Sequence, residues 1–188
     1  MLFRCGLIVA AILANFCSAG LKWNQCGGQN VFLLKNLDIQ PMPMNLPGKI
    51  KLDLQATALK QLNGSDVTVT IRRSTFFGHV KIPCLFQVGS CTYHDSCTLL
   101  KRMKDENWGG MMANIIIQVE SYFSTHNINL NCPVSKQSLT ISSMNVTLPN
   151  IPSYLSFLAS GSYKVDVNMV DRHTKEQTFC LHVEFGIA

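Results

Sequence analysis

Alternation of apolar and polar positions with a period of two dominates the chain. Over Lys49–Ala58, Ile50, Leu52, Leu54 and Ala56 share one face, and Lys49, Lys51, Asp53 and Gln55 share the other. After a turn at Asn63-Gly64, Val67, Val69 and Ile71 alternate with Thr68, Thr70 and Arg72. Val80 and Ile82 flank Lys81 in the same way and run into Pro83, which has no N–H to give to a ladder. Leu139, Ile141 and Val146 suggest a strand with a slip at Ser142-Ser143. Tyr163, Val165 and Val167 alternate with polar neighbours, and so do Phe179, Leu181, Val183 and Phe185 beyond a polar turn at Asp171–Lys175. With the apolar run Val31–Ile39, which ends at Pro41, Pro43 and Pro47, this predicts about eight strands in an all-β, antiparallel, open two-sheet sandwich.

One stretch changes period. Met111, Met112, Ile115, Ile116, Val119, Tyr122 and Phe123 recur at helical offsets, with Asn114, Gln118 and Ser121 opposite them. This predicts one short helical insert, with Asp105 and Glu106 at its N-terminus; a strand through Ile115–Val119 is the alternative. The stripe suits either plain cover for one end of the sheets or a lid over a pocket.

Composition then sets the compartment. Residues 1–19 combine Arg4, an apolar run from Gly6 to Leu13 and the small residues Ser18-Ala19, the pattern of a secretory signal peptide. Residues 20–188 are left as one domain, and nothing downstream reaches the 18 or so consecutive apolar residues of a membrane span. Cleavage removes Cys5 and Cys17; the remaining Cys26, Cys84, Cys91, Cys97, Cys132 and Cys180 are an even set suited to disulfides in an oxidising compartment. Gly89-Ser90 lies between Cys84 and Cys91 and lets the chain turn so that those two sulfurs meet. The sequons Asn63-Gly64-Ser65 and Asn145-Val146-Thr147 predict glycosylation at Asn63 and Asn145. A secreted or lysosomal lumenal protein is expected.

The formal net charge is +5, and five histidines add to it in an acidic compartment. This favours contact with an anionic membrane surface. The basic residues are too scattered for a nucleic-acid footprint, and the secretory route points the same way. No C-x-x-C pair or histidine cluster suggests a metal, and no cofactor motif is present. His94-Asp95-Ser96 contains the residue types of a hydrolytic triad, but neighbours on one short loop do not generally reach that geometry. Without an elbow motif or a patterned carboxylate pair, no enzymatic activity is expected.

Three segments carry a resemblance: Trp23–Cys26 (W-N-Q-C), Ile82–Cys97 (I-P-C-L-F-Q-V-G-S-C-T-Y-H-D-S-C), and Leu148–Val165 with its L-P-N-I-P-S-Y-L and S-G-S-Y-K-V runs. Together they resemble the ganglioside GM2-activator family within the ML lipid-recognition superfamily, over nearly the whole chain beyond residue 19. The resemblance implies a non-enzymatic β-cup whose splayed sheets hold acyl chains. Such a protein lifts a glycolipid from a membrane and presents its sugar to a lysosomal hexosaminidase. It implies the pairs Cys26–Cys180, Cys84–Cys91 and Cys97–Cys132; the family's fourth disulfide has no counterpart here.

It also implies two apolar membrane loops, at Phe76, Phe77 and His79 and at Tyr154 and Leu155. His79 and Tyr154 stand where the family has tryptophan, and Trp108 is a candidate replacement anchor. The cavity lining expected from the strand pattern is Ile50, Leu52, Leu54, Val67, Val69, Ile71, Tyr163, Val165 and Val167. Those side chains would equally fill an ordinary sandwich. Alternative functions are therefore a sterol or phospholipid carrier of the same superfamily, or a secreted adhesion glycoprotein with a filled core.

Overall fold

A computed structural model describes residues 20–188 apart from Leu130, so the expected signal peptide at 1–19 lies outside the described residues. The strands are β1 (Lys22–Gly27), β2 (Phe32–Gln40), β3 (Gly48–Ala58), β4 (Ser65–Thr75), β5 (Gly78–Lys81), β6 (Thr92–Tyr93), β7 (Gln137–Leu148), β8 (Gly161–Asp171) and β9 (Gln177–Ile187). Two helices, α1 (Ser96–Asp105) and α2 (Met112–Thr125), lie between β6 and β7. The larger sheet runs β1-β9-β8-β4-β5, with the short β6 also on β4; the smaller runs β2-β3-β7. All of these strand pairings are antiparallel. The slip at Ser142-Ser143 is a bulge: register shifts between Leu52 and Leu54, and Ser143 has φ 55°.

The described residues thus form nine strands and two helices, where about eight strands and one helix are expected. The additional strands include β6, two residues long and too short to show a period. The additional helix, α1, is ten residues long, and its apolar positions Leu99, Leu100 and Met103 are too few for a helical period to be read from them. Asp105 and Glu106 are accordingly not at the N-terminus of α2. They close α1, where they accept from Lys101 and Arg102 one turn earlier. Asp95 caps the start of α1 by accepting from the Cys97 N–H at 3.2 Å.

The two sheets pack on each other along one side. Leu34, Leu37, Leu54 and Ala56 of β2 and β3 pack with Val167, Phe179, Leu181 and Val183 of β8 and β9. Two links brace that side. The Cys26–Cys180 disulfide ties β1 to β9, and the Gln25 side chain reaches edge strand β2, donating to Phe32 O and accepting from Leu34 N–H. Toward β7 the sheets separate, and α2 lies on the inner face of the smaller sheet. Its Ile115, Val119, Tyr122 and Phe123 cover Ile141, Met144 and Val146, beside Ile50 and Leu52.

α2 also satisfies the outer edge of β7. Gln118 accepts from Thr147 N–H at 2.7 Å and donates to Thr147 O at 3.0 Å. The Tyr122 hydroxyl does the same for Ser142, at 3.0 and 3.1 Å. A strand edge that would otherwise present bare N–H and C=O groups is thereby closed. Cys97–Cys132 fastens the base of the α1–α2 hairpin, and Cys84–Cys91 the loop between β5 and β6.

Candidate functional site

An apolar cavity of about 210 Å³ lies between the sheets at the end where β3 begins and β7 finishes. Ile71, Tyr163, Phe185 and Ile187 of the larger sheet form one wall. Leu148, Pro149, Ile151 and Leu158 form another, Met111 immediately precedes α2 and Ile115 lies in its first turn, and Leu46 comes from the proline-rich loop. No charged side chain lines it, as a dry site for hydrocarbon requires.

Of the residues expected to line a cavity, Ile71 and Tyr163 do so. The others are used elsewhere because the sheets close on one side. Leu54 and Val167 lie in the inter-sheet contact. Ile50 and Leu52 lie on the face that α2 covers. Val67 is buried, and Val69 and Val165 are half-buried, on the same side of their strands as Ile71 and Tyr163. The lining from Leu46, Pro149 and Ile151 comes from loops, where no period announces an inward face.

The β4–β5 hairpin projects from this same end of the larger sheet, since β4 runs from Ile71 to its turn four residues later. Phe76 and Phe77 are the two loop residues, 97 % and 95 % exposed. Their rings meet edge to face at 5.4 Å. Gly78, with φ 112°, takes a backbone conformation that side-chain-bearing residues rarely adopt and lets the hairpin close. His79 is exposed beside the tip, with Nδ1 3.2 Å from Ser74 Oγ.

A second aromatic contact is made by Phe86, in the Cys84–Cys91 loop, with Tyr154, at 4.8 Å. Phe86 is exposed and Tyr154 is 49 % exposed. Sequence reasoning did not single out Phe86; it lies in an irregular loop, with a backbone φ of 51°, where no apolar period marks which residues face out. Arg73 holds the Tyr154 segment to β4 by donating to Phe157 O at 3.1 Å.

Two expected membrane anchors are corrected. Trp108 is 3 % exposed. It stacks on Tyr93 at 4.9 Å and donates its indole N–H to Glu106 at 2.6 Å, so both its apolar ring and its polar edge are satisfied inside the protein. Leu155 is 0 % exposed. The Ser153–Leu158 segment is a 3-10 turn whose threefold period sets Leu155 and Leu158 on one side, inward, and Tyr154 outward.

Behind the hairpin tip, one cross-strand row of the larger sheet reads Lys81, Arg72, Lys164, Glu184, Lys22. Four cations share this row with one carboxylate, whose pKa the Lys164 hydrogen bond holds below the usual range. One row further from the tip, burial acts to raise the Asp166 carboxyl, but hydrogen bonds from His182 and Arg72 outweigh it and leave the group below its ordinary value.

His94, Asp95 and Ser96 point to three different partners: Asp66, the start of α1, and the Ser65 N–H. They form no triad. Among the described residues the one cluster of metal-ligand types is Cys26, Cys180 and His182, and both sulfurs are in a disulfide. Asn63 and Asn145 are both exposed. No helix among the described residues is long and apolar enough to cross a membrane.

The chain is similar in sequence to known proteins. The ganglioside GM2 activator of Mus musculus is 29 % identical over 153 residues, covering 78 % of this chain and 72 % of the relative. That of Macaca fascicularis is 22 % identical over 176 residues, covering 92 % and 87 %. Among solved structures, a Niemann-Pick type C2 protein from Japanese carpenter ant superposes with a TM-score of 0.43 at 13 % identity, over 89 % of this chain and 99 % of that one. Chicken MD-1 complexed with lipid IVa gives 0.41 at 9 % identity, over 89 % and 88 %. The ML domain profile matches residues 20–187, and the chain therefore belongs to the ML domain family of non-enzymatic lipid-binding proteins.

Proposed function

We propose that this lipid-binding protein is a carrier that takes a glycolipid from an anionic membrane, holds its hydrocarbon inside and leaves the sugar outside for a lysosomal glycosidase such as a hexosaminidase. The observation that carries the reading is the position of the uncharged cavity at the same end as two almost fully exposed phenylalanines. Drawing a lipid chain into water costs about 0.8 kcal/mol per CH₂, and a dry cavity offsets that cost. Phe76 and Phe77 enter the headgroup boundary, while the row of Lys81, Arg72, Lys164 and Lys22 faces anionic lipid. The ganglioside GM2 activators among the relatives favour a glycolipid as cargo. Secretion through a signal peptide at 1–19, with glycans on Asn63 and Asn145, accords with three disulfides.

Native mass spectrometry of the protein secreted from an animal cell host, followed by lipid extraction, tests the reading. Co-purified glycolipid is the expected result. A sterol or phospholipid would reassign the cargo within the superfamily, and a protein that neither carries nor accepts lipid from vesicles would overturn the carrier assignment in favour of an adhesion module.

A further inference from the structure

The cavity is too small for the task just assigned to it. An engineered protein cavity of about 150 Å³ holds one benzene molecule, and the volume here is about 210 Å³. A short stretch of one chain fits; the length of an acyl chain does not. The remaining apolar surface of the inner faces lies next to it. Leu148 lines the cavity and also borders the face of the smaller sheet that α2 covers, and Ile115 of α2 touches both.

We propose that the bed formed by Ile50, Leu52, Ile141, Met144 and Val146 is the site of the hydrocarbon chain, and that α2 occupies it when the protein is empty and lifts from it on loading. The inference rests on the carrier reading above and names where the rest of the chain goes. Three observations carry it. First, α2 is the cover of an apolar surface: Ile141, Met144 and Val146 beneath it are buried, while of its own 14 residues Ile116 alone is buried and Ile115, Val119, Tyr122 and Phe123, which face the bed, are half-buried. Moving it uncovers a face with no charged side chain, as a hydrocarbon chain requires.

Second, α2 is held to the smaller sheet by side-chain contacts, with hydrogen bonds at Gln118 and Tyr122. Such contacts can be exchanged for water without unpairing any strand. Third, α2 follows Gly109-Gly110, both at positive φ (60° and 70°), directly after the buried Trp108. Trp108 anchors the chain there. At the far end, beyond residue 126, Cys97–Cys132 secures the hairpin. Displacing the first turn of α2 moves Met111 and Ile115, two walls of the cavity, and makes cavity and bed continuous.

The test uses the secreted protein and spin-labelled stearic acid as probe. Methyl NMR reads where the chain lies, and hydrogen exchange reads α2. An isolated 14-residue helix is marginal in water, so lifted α2 amides are expected to lose protection by about tenfold or more. Paramagnetic broadening is expected at the methyls of Ile50, Leu52, Met144 and Val146. In addition, Gln118→Ala removes two hydrogen bonds to Thr147 and is expected to raise probe uptake roughly fivefold or more. Binding with broadening confined to Ile71, Leu148 and Leu158, and α2 protection unchanged, would overturn the inference and leave the carrier reading intact. Absence of probe binding, together with absence of lipid uptake from vesicles, would overturn both.

Discussion

Replacing both tip residues, Phe76→Ser with Phe77→Ser, separates membrane contact from stability more cleanly than any other change in this protein. Both side chains are nearly fully exposed, and the contact noted for each ring is with the other. The folded protein therefore gains almost nothing from them, and the double variant should keep its stability within about 0.5 kcal/mol. At a bilayer the balance differs. Complete removal of a phenylalanine from water is worth about 1.5–3 kcal/mol. Taking half of that for each ring, because a hairpin tip reaches only the headgroup and upper acyl region, the pair contributes about 1.5–3 kcal/mol.

The vesicle partition coefficient should then fall roughly ten- to hundredfold. Sedimentation with vesicles of phosphatidylcholine and phosphatidylglycerol measures it directly, with a thermal melt on the same sample. Raising the salt should weaken wild type and variant in proportion, since the basic row is untouched. Unchanged partition in the variant would remove the hairpin from the membrane contact. A drop of many degrees in the melt would mean that the rings are packed and that the reasoning from exposure is wrong.

Other changes should act through the interior. Trp108→Ala removes a buried ring with its Tyr93 stack and Glu106 hydrogen bond and should cost about 3–5 kcal/mol in denaturant unfolding; at equal folded fraction, vesicle partition should be unchanged, whereas loss of partition would restore it as an anchor. Leu155→Ala, at a fully buried position, should cost about 2–5 kcal/mol by the same assay, and a value near zero would show that the segment is not packed. Replacing Cys26 and Cys180 with serine reopens a loop spanning 154 residues, for which chain entropy gives about 5 kcal/mol, against about 2.4 for the seven-residue Cys84–Cys91 loop; equal losses for the two pairs would contradict that ordering.

Acid should be tolerated. The depressed carboxyls of Asp66, Asp166, Asp171 and Glu184 add stability above their ordinary range near pH ~4, and it is lost as pH falls through their lower folded values. Urea midpoints should therefore hold through the mildly acidic range and decline only below it. Asp166→Asn should flatten that acid limb while costing less than about 1 kcal/mol at neutral pH, because its ion pair is partly exposed.

The sequence by itself determined the longer strands and the helical period of α2, whereas the exposed Phe76-Phe77 turn was implied only by family resemblance. Strand and helix are each written as a local rhythm: Ile50, Leu52 and Leu54 must share a face whatever they later touch, because successive residues of a strand point to opposite sides. It also marked Ser142-Ser143 as a slip, since two polar residues in a row break the alternation. Cys84 and Cys91 were legible as a pair from the turn between them, whereas the long-range pairs were implied only by family resemblance.

Tertiary structure decided which apolar faces meet one another and which meet water or a ligand. Trp108 carries no sign in its neighbours that Tyr93 and Glu106 will enclose it, and Leu155 differs from Tyr154 only in which way a 3-10 turn points it. The inner surface divides into a closed contact at Leu54 and Val167, a helix-covered bed at Ile50 and Leu52, and an open cavity at Ile71 and Tyr163, according to what each part of it packs against. Burial is non-directional and proportional to area, so the same alternating residues satisfy it against a sheet, a helix or a lipid chain.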